Sequence, residues 1–141
     1  MRLVITTPTA IAVDEDQVRY VRAEDASGSF GIEPRHADLL TTLIICVVRW
    51  RDGSRRERYV AVRGGVLRVR NGNLVEIATR EAVVGDDLAH LRGQVLSAMM
   101  NNLEAEQSAR SGALKLEHAV IRQIYRYLRP ADQPIKAKPQ E

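Results

Sequence analysis

From Arg2 to Val84, apolar residues alternate with polar ones or cluster in short runs, and turn-forming residues interrupt them at short intervals. Pro8, Asp14-Glu15-Asp16, Ser27-Gly28, Pro34, Asp52-Gly53, Gly64-Gly65 and Asn71-Gly72 are the interruptions. Several short strands at this spacing predict a β-sandwich or barrel. Within 43–50, Ile44, Cys46, Val48 and Trp50 fall on one face and Leu43, Ile45 and Val47 on the other, which predicts a strand buried on both sides. Asp52-Gly53 predicts a tight turn. Beyond it, Val60 and Val62 share a face with Tyr59, Ala61 and Arg63 opposite, and Leu67 and Val69 alternate with Arg68 and Arg70. Asn71-Gly72 is the strongest hairpin signal, because both residues tolerate positive φ. Val75 and Ile77 then continue the apolar face.

From Asp87 the period changes. Leu88, Leu91, Val95, Met99 and Leu103 recur at three and four residues, the spacing of one helical face. Asp86 or Asp87 can cap that helix, since a carboxylate accepts from free N–H groups and suits the positive end of the helix dipole. Ser111-Gly112 predicts a break. A second stripe follows in Leu116, Val120, Ile124 and Tyr127 or Leu128, and Arg129-Pro130 predicts its end. Two such helices joined by a short turn form an antiparallel hairpin. The expected domains are thus a β domain over 1–85, a helical hairpin over 86–129 and a proline-rich, disordered tail over 130–141. A two-helix hairpin is marginal alone, so it should pack on the β domain, on another protein, or alternate between them.

The 141 residues suffice for a core without metal or disulfide support. No apolar run approaches the roughly 20 residues of a membrane-spanning helix, and the N-terminus lacks the long apolar segment of a signal peptide. Cys46 is the single cysteine, which excludes an intramolecular disulfide and leaves the cytoplasm as the expected compartment. A net charge of +3 is a weak nucleic-acid footprint, and the few aromatic residues do not make a stacking surface for single strands.

Candidate chemistry is sparse. No Gly-x-Ser-x-Gly, phosphate loop, paired catalytic carboxylates or metal-ligand spacing occurs, so no catalytic residue, metal or cofactor is expected. His36, in a predicted loop, is expected to bond nearby backbone; His90 and His118 are expected on solvated helix surfaces. The basic run from Arg49 to Arg56 could bind phosphate, but it straddles a turn that also carries Asp52 and Glu57, so a solvated hairpin tip fits it better. Arg122, Arg126 and Arg129 line one side of the second helix, either as a solvated face or as a stripe that docks on an acidic surface.

Three segments bear a family resemblance. Gly28-Ser29-Phe30-Gly31-Ile32-Glu33-Pro34-Arg35-His36-Ala37-Asp38-Leu39-Leu40-Thr41 matches G-x-x-G-I-x-P-x-H-A-x-L-L-T; Ala61-Val62-Arg63-Gly64-Gly65-Val66-Leu67-Arg68-Val69 and Ala82-Val83-Val84-Gly85-Asp86-Asp87-Leu88 follow in order. With the change of period, the chain resembles the epsilon subunit of bacterial F-type rotary ATP synthases over about residues 2–129. The departures from the family pattern fit a divergent branch, such as the alternate synthase type that some bacteria carry beside the usual one. The resemblance implies a β-sandwich of about ten strands followed by two helices, in a non-catalytic central-stalk subunit at the cytoplasmic face of the bacterial inner membrane. It implies contact with the gamma subunit and the c-subunit ring through the sandwich, and with the catalytic beta subunit when the hairpin extends and blocks ATP hydrolysis. No nucleic acid is implied, and the membrane is met only through the complex.

Carried over by position, Ser29, Phe30 and His36 fall on loops facing the c ring, and Arg122 and Arg126 face the catalytic subunit. Some relatives bind ATP through an I/L-D-x-x-R-A motif. The matching stretch here is Leu88-Ala89-His90-Leu91-Arg92-Gly93, which keeps Arg92 as the one candidate nucleotide contact but lacks the aspartate and the final alanine. Weak or no ATP binding is therefore expected. A second reading is a free-standing regulatory module that clamps an anion or nucleotide over Arg92, Arg122 and Arg126. A nucleic-acid-binding β protein and an enzyme rank below both.

Overall fold

The computed structural model describes the backbone of residues 1–136 and the side chains of residues 1–123. Eight strands form: β1 (Arg2–Thr6), β2 (Ile11–Glu15), β3 (Tyr20–Asp25), β4 (Gly28–Ile32), β5 (Leu39–Arg51), β6 (Glu57–Arg70), β7 (Leu74–Ala78) and β8 (Ala82–Gly85). Their order is β2-β1-β7-β6-β5-β3-β4, with β8 also paired to β6. All neighbours are antiparallel except β1 and β7. The sheet closes on one core in which Leu3, Ile5, Val21, Ile32, Val48, Trp50, Val62, Leu67 and Ile77 are buried.

Eight strands replace the ten expected because β5 and β6, 13 and 14 residues long, run unbroken past the bend at Gly64-Gly65. That bend also reverses which positions face inward. On β6 the core positions are Val60 and Val62 before it and Leu67 and Val69 after it. On β5 they are Leu43 on one side and Cys46, Val48 and Trp50 on the other. Ile44, expected to share a face with Cys46, is instead exposed. Gly65 permits the bend: its φ is +126°, and a Cβ there would lie 2.1 Å from the Ala78 carbonyl oxygen.

Other turns follow local chemistry. Asn71 and Gly72 both have positive φ, 55° and 65°, and the Asn73 N–H donates to the Arg70 carbonyl at 3.2 Å. The turn at Asp52-Gly53 is wider than the pattern predicted. The Asp52 carboxylate accepts from the Ser54 and Arg56 N–H groups at 2.9 and 3.0 Å, so the loop spans 52–56.

Helical structure starts where the period changes. Asp87 caps α1 (Leu88–His90), accepting from the Ala89 and His90 N–H groups. A π-helical turn, Leu91–Val95, leads into α2 (Leu96–Lys136). Leu91 and Met99 are buried with Ala61 in a second apolar cluster, joined by Ile45, Val47, Tyr59, Val83, Val95 and Leu96. The first stripe thus covers the outer face of β5, β6 and β8. The chain divides into two compact units, Met1–Asn101 and Asn102–Glu141.

The expected hairpin is not formed, and α2 is one helix of 41 residues that passes through Ser111-Gly112. A lone glycine costs a helix about 1 kcal/mol against alanine. The flanking Glu104-Ala105-Glu106-Gln107 and Ala113-Leu114-Lys115-Leu116 are strong helix formers that outweigh it. The bounds of α2 also run past Arg129-Pro130; of the expected disordered tail, residues 137–141 lie outside the described residues.

Candidate functional site

Of the three residues expected on loops, Ser29 and Phe30 lie instead on strand β4, where they pair with β3, and only His36 is in a loop. Asp25 organises the β3–β4 turn: its carboxylate accepts from the Ser27 hydroxyl, the Ser27 N–H and the Thr41 hydroxyl. Those hydrogen bonds, the Ser27 hydroxyl foremost, hold its pKa below the ordinary aspartate value. Ser29 is exposed opposite Glu24, and its hydroxyl accepts from Arg22 Nε at 2.8 Å. Phe30 lies opposite buried Ala23 and packs half-buried against the core. The side chains of Ser29 and Phe30 therefore leave β4 on opposite faces.

His36 sits in the loop before β5. That loop is tied to the β6–β7 turn by the Arg35 N–H donating to the Gly72 carbonyl at 2.7 Å and by Asp38 accepting from the Asn71 N–H at 3.0 Å. His36 Nδ1 lies 2.7 Å from the Ala37 carbonyl oxygen, the backbone bond expected of a turn histidine. Its other nitrogen is left for solvent or a partner.

Arg92 is exposed on the π-helical turn. Such turns mark inserted residues and recur at functional positions. Here Gly93 sits within it, and Ser97 Oγ donates to the Gly93 carbonyl at 2.7 Å. Arg122 is exposed on α2; Arg126 lies within the same helix, and its side chain is outside the described residues. The clamp of Arg92, Arg122 and Arg126 was expected on a helical hairpin, and α2 is a single helix instead. Leu114, Leu116, Val120 and Ile121 are all more than half exposed on α2.

A further basin gathers arginines from separate strands, three of them (Arg49, Arg51 and Arg55) from the basic run expected to be only a solvated hairpin tip. Arg19, Arg22, Arg49, Arg51 and Arg55 line one basin with Tyr20, and Glu33 and Glu57 stand beside them. The outward phase of Tyr20 and Arg22 about buried Val21, and of Arg49 and Arg51 about buried Trp50, is visible in the alternation. The pairing of β3 with β5 that joins them is not. Among the described residues, no group of three or more His, Cys, Asp or Glu side chains is placed to hold a metal ion.

Comparison with known proteins complements this geometry. Residues 1–85 match the family described as ATP synthase, Delta/Epsilon chain, beta-sandwich domain. The chain is 45% identical over 131 residues to the ATP synthase epsilon chain 2 of Paraburkholderia xenovorans, covering 93% of this chain and 94% of that one. It is 41% identical over 128 residues to the ATP synthase epsilon chain 2 of Cereibacter sphaeroides, covering 91% and 88%. In fold it is similar to a chain of the Euglena gracilis mitochondrial ATP synthase OSCP/F1/c-ring structure, with a TM-score of 0.57 and 18% identity. That likeness covers 77% of this chain and 62% of the other.

Proposed function

The chain belongs to the delta/epsilon chain family of ATP synthases, and from that membership we propose that it is a non-catalytic central-stalk subunit of a rotary ATP synthase, at the cytoplasmic face of a bacterial inner membrane. The observation that carries this reading is the match to epsilon chains over nearly the full length of both chains. The two relatives both bear the name epsilon chain 2, which supports assignment to the alternate synthase type that some bacteria carry. No described helix is long and apolar enough to cross a membrane, so attachment would come through the complex.

In this reading the sandwich binds the gamma subunit and the c ring, with Ser29 and Phe30 of β4 and His36 of the following loop at the end that meets the ring. The helical part regulates. Leu114, Leu116, Val120 and Ile121 are large apolar side chains in water, and covering them on a partner is favourable at about 25 cal/mol per Å². Arg122 and Arg126 then meet an acidic face of the catalytic beta subunit, and ATP hydrolysis is inhibited. Such a device works through the difference in contact free energy between two docking states, with no chemistry in this chain. Ala89 and Gly93 replace the aspartate and the alanine of the nucleotide motif, so the states are not governed by tight ATP binding.

The test is co-elution of the full chain with the gamma subunit of the same genome. One-to-one co-elution is expected, and its absence at micromolar concentrations overturns the stalk assignment. The regulatory part is tested separately, by Arg122→Glu with Arg126→Glu in the assembled enzyme. Loss of inhibition with assembly intact is expected; unchanged inhibition removes the basic stripe from the mechanism.

A further inference from the structure

The basin on β3 and β5 is a second site with its own logic. Two rows of the sheet make it. In one row Tyr20 is the partner of Arg51, and in the next Arg22 is the partner of Arg49. Val21 and Trp50, between the rows, are buried, so all four side chains leave the sheet on its outer face. Like charges directly opposite in an antiparallel pair are destabilising, yet Arg22 and Arg49 stand in that relation. Arg19 and Arg55 add two more guanidinium groups around a cavity of about 790 Å³.

The local carboxylates do not neutralise this set. Glu57 is taken by Arg51, at 3.4 Å, and by the Tyr59 hydroxyl, at 3.0 Å. Among the described residues, Arg22 donates only to the neutral Ser29 hydroxyl. Among the described residues, Arg19, Arg22, Arg49 and Arg55 have no carboxylate within 4.0 Å. Five arginines against Glu33 and Glu57 leave an excess of three positive charges in one concavity.

The floor is also shaped. Gly31 is the partner of Arg22 on the other side, and a Cβ there would lie 2.6 Å from the Tyr20 hydroxyl. The absence of that carbon lets the Tyr20 ring lie across β4. Arg51 then stacks over the same ring, 5.8 Å from its centroid. Arg55 is held at a φ of 64° by its N–H donating to the Asp52 carbonyl at 3.0 Å. Non-glycine residues are disfavoured in that region, and the loop fixes Arg55 there beside the other arginines.

Arginine without lysine is the composition suited to oxyanions that accept two parallel N–H bonds. The space exceeds one phosphate, and the excess charge exceeds what one carboxylate offsets. We propose that this basin binds an anion bearing at least two phosphate groups, held by Arg22 and Arg49 at the centre with Arg19, Arg51 and Arg55 around them. The lining includes neither Arg92 nor any helical residue, and the proposal does not depend on the stalk assignment.

Titration calorimetry of the full chain with sodium pyrophosphate, at constant ionic strength, tests it. Cosedimentation with phosphatidylcholine vesicles, plain and doped with cardiolipin, is the parallel arm. Binding with a Kd of about 100 μM or tighter in at least one arm is expected. Arg22→Gln with Arg49→Gln should weaken it about tenfold or more, with circular dichroism confirming the fold. Arg70→Gln, which removes one charge outside the basin, should bind as the parent does. Pyrophosphate binding assigns a free anion, and binding only to doped vesicles assigns a lipid headgroup. No binding in either arm overturns the proposal, as does equal binding by the folded double variant. Failure here would leave co-elution with gamma untouched, so the two readings fall separately.

Discussion

The indole N–H of Trp50 donates to Glu15 Oε2 at 2.8 Å, joining β5 to β2 across the layers of the sandwich. Trp50 is 1% exposed and is the largest fully buried side chain. The other Glu15 oxygen accepts from Arg58, whose guanidinium also lies over the indole, 6.0 Å from the ring centroid. A tryptophan inside an aliphatic core thus has its one polar atom satisfied by a carboxylate that is itself charge-paired.

Glu15→Ala should destabilise the chain by about 1–3 kcal/mol, because it strands a buried donor. Glu15→Gln keeps an acceptor for the indole and loses only a partly solvated ion pair, so it should cost under about 1 kcal/mol. Urea unfolding followed by Trp50 fluorescence reads both, since the chain has one tryptophan. Equal losses in the two variants would show that charge, rather than the acceptor, matters at this position.

Gly65→Ala should be among the most destabilising single-methyl changes in the chain. The new carbon meets the Ala78 carbonyl oxygen at 2.1 Å in a backbone region that L residues avoid. Displacing β7 or relaxing the bend should cost about 3 kcal/mol or more. Gly64→Ala, whose nearest neighbour is the Leu43 carbonyl oxygen at 3.1 Å, should cost about 1–2 kcal/mol. Thermal melts should rank the two in that order; the reverse order would place the strain of the bend at Gly64.

Gly93→Ala should stabilise the start of the helical region. Open space surrounds the position, and its φ lies outside the left-handed region. The expected gain is about 1 kcal/mol, seen as slower amide hydrogen exchange over 91–99. Faster exchange would show that the π-helical turn needs glycine.

Cys46 should resist thiol reagents in the folded chain. Burial is the main cause that pushes its pKa up from 9.0 to about 11, since the thiolate is the form penalised by a dry environment. A raised folded-state pKa favours the neutral thiol. Its contribution to stability is therefore full below the ordinary value of 9.0 and is lost as pH rises toward about 11. Labelling at pH 8 should follow the unfolding rate, and labelling as fast as a free thiol would contradict the burial.

The switch from strand to helix near Asp87 was written in the periodicity. The change from period two to a helical period, the Asp87 cap, the Asn71-Gly72 turn and the sharing of one stripe by Leu91 and Met99 each depend on residues within a few positions of each other. Such features are set by local sterics and hydrogen bonding, which is why the pattern discloses them. The three matched segments named the family on the same local terms. Tertiary structure decided the rest. The bend at Gly64-Gly65 moved Leu43 inward and Ile44 outward, because one strand's phase depends on how its neighbour crosses the corner. The unbroken helix at Ser111-Gly112 was by contrast decided locally, because summed propensity along α2 outweighs one glycine. The arginine basin exists only because β3 pairs with β5, bringing Arg22 beside Arg49 across 27 positions of sequence that carry no trace of that register.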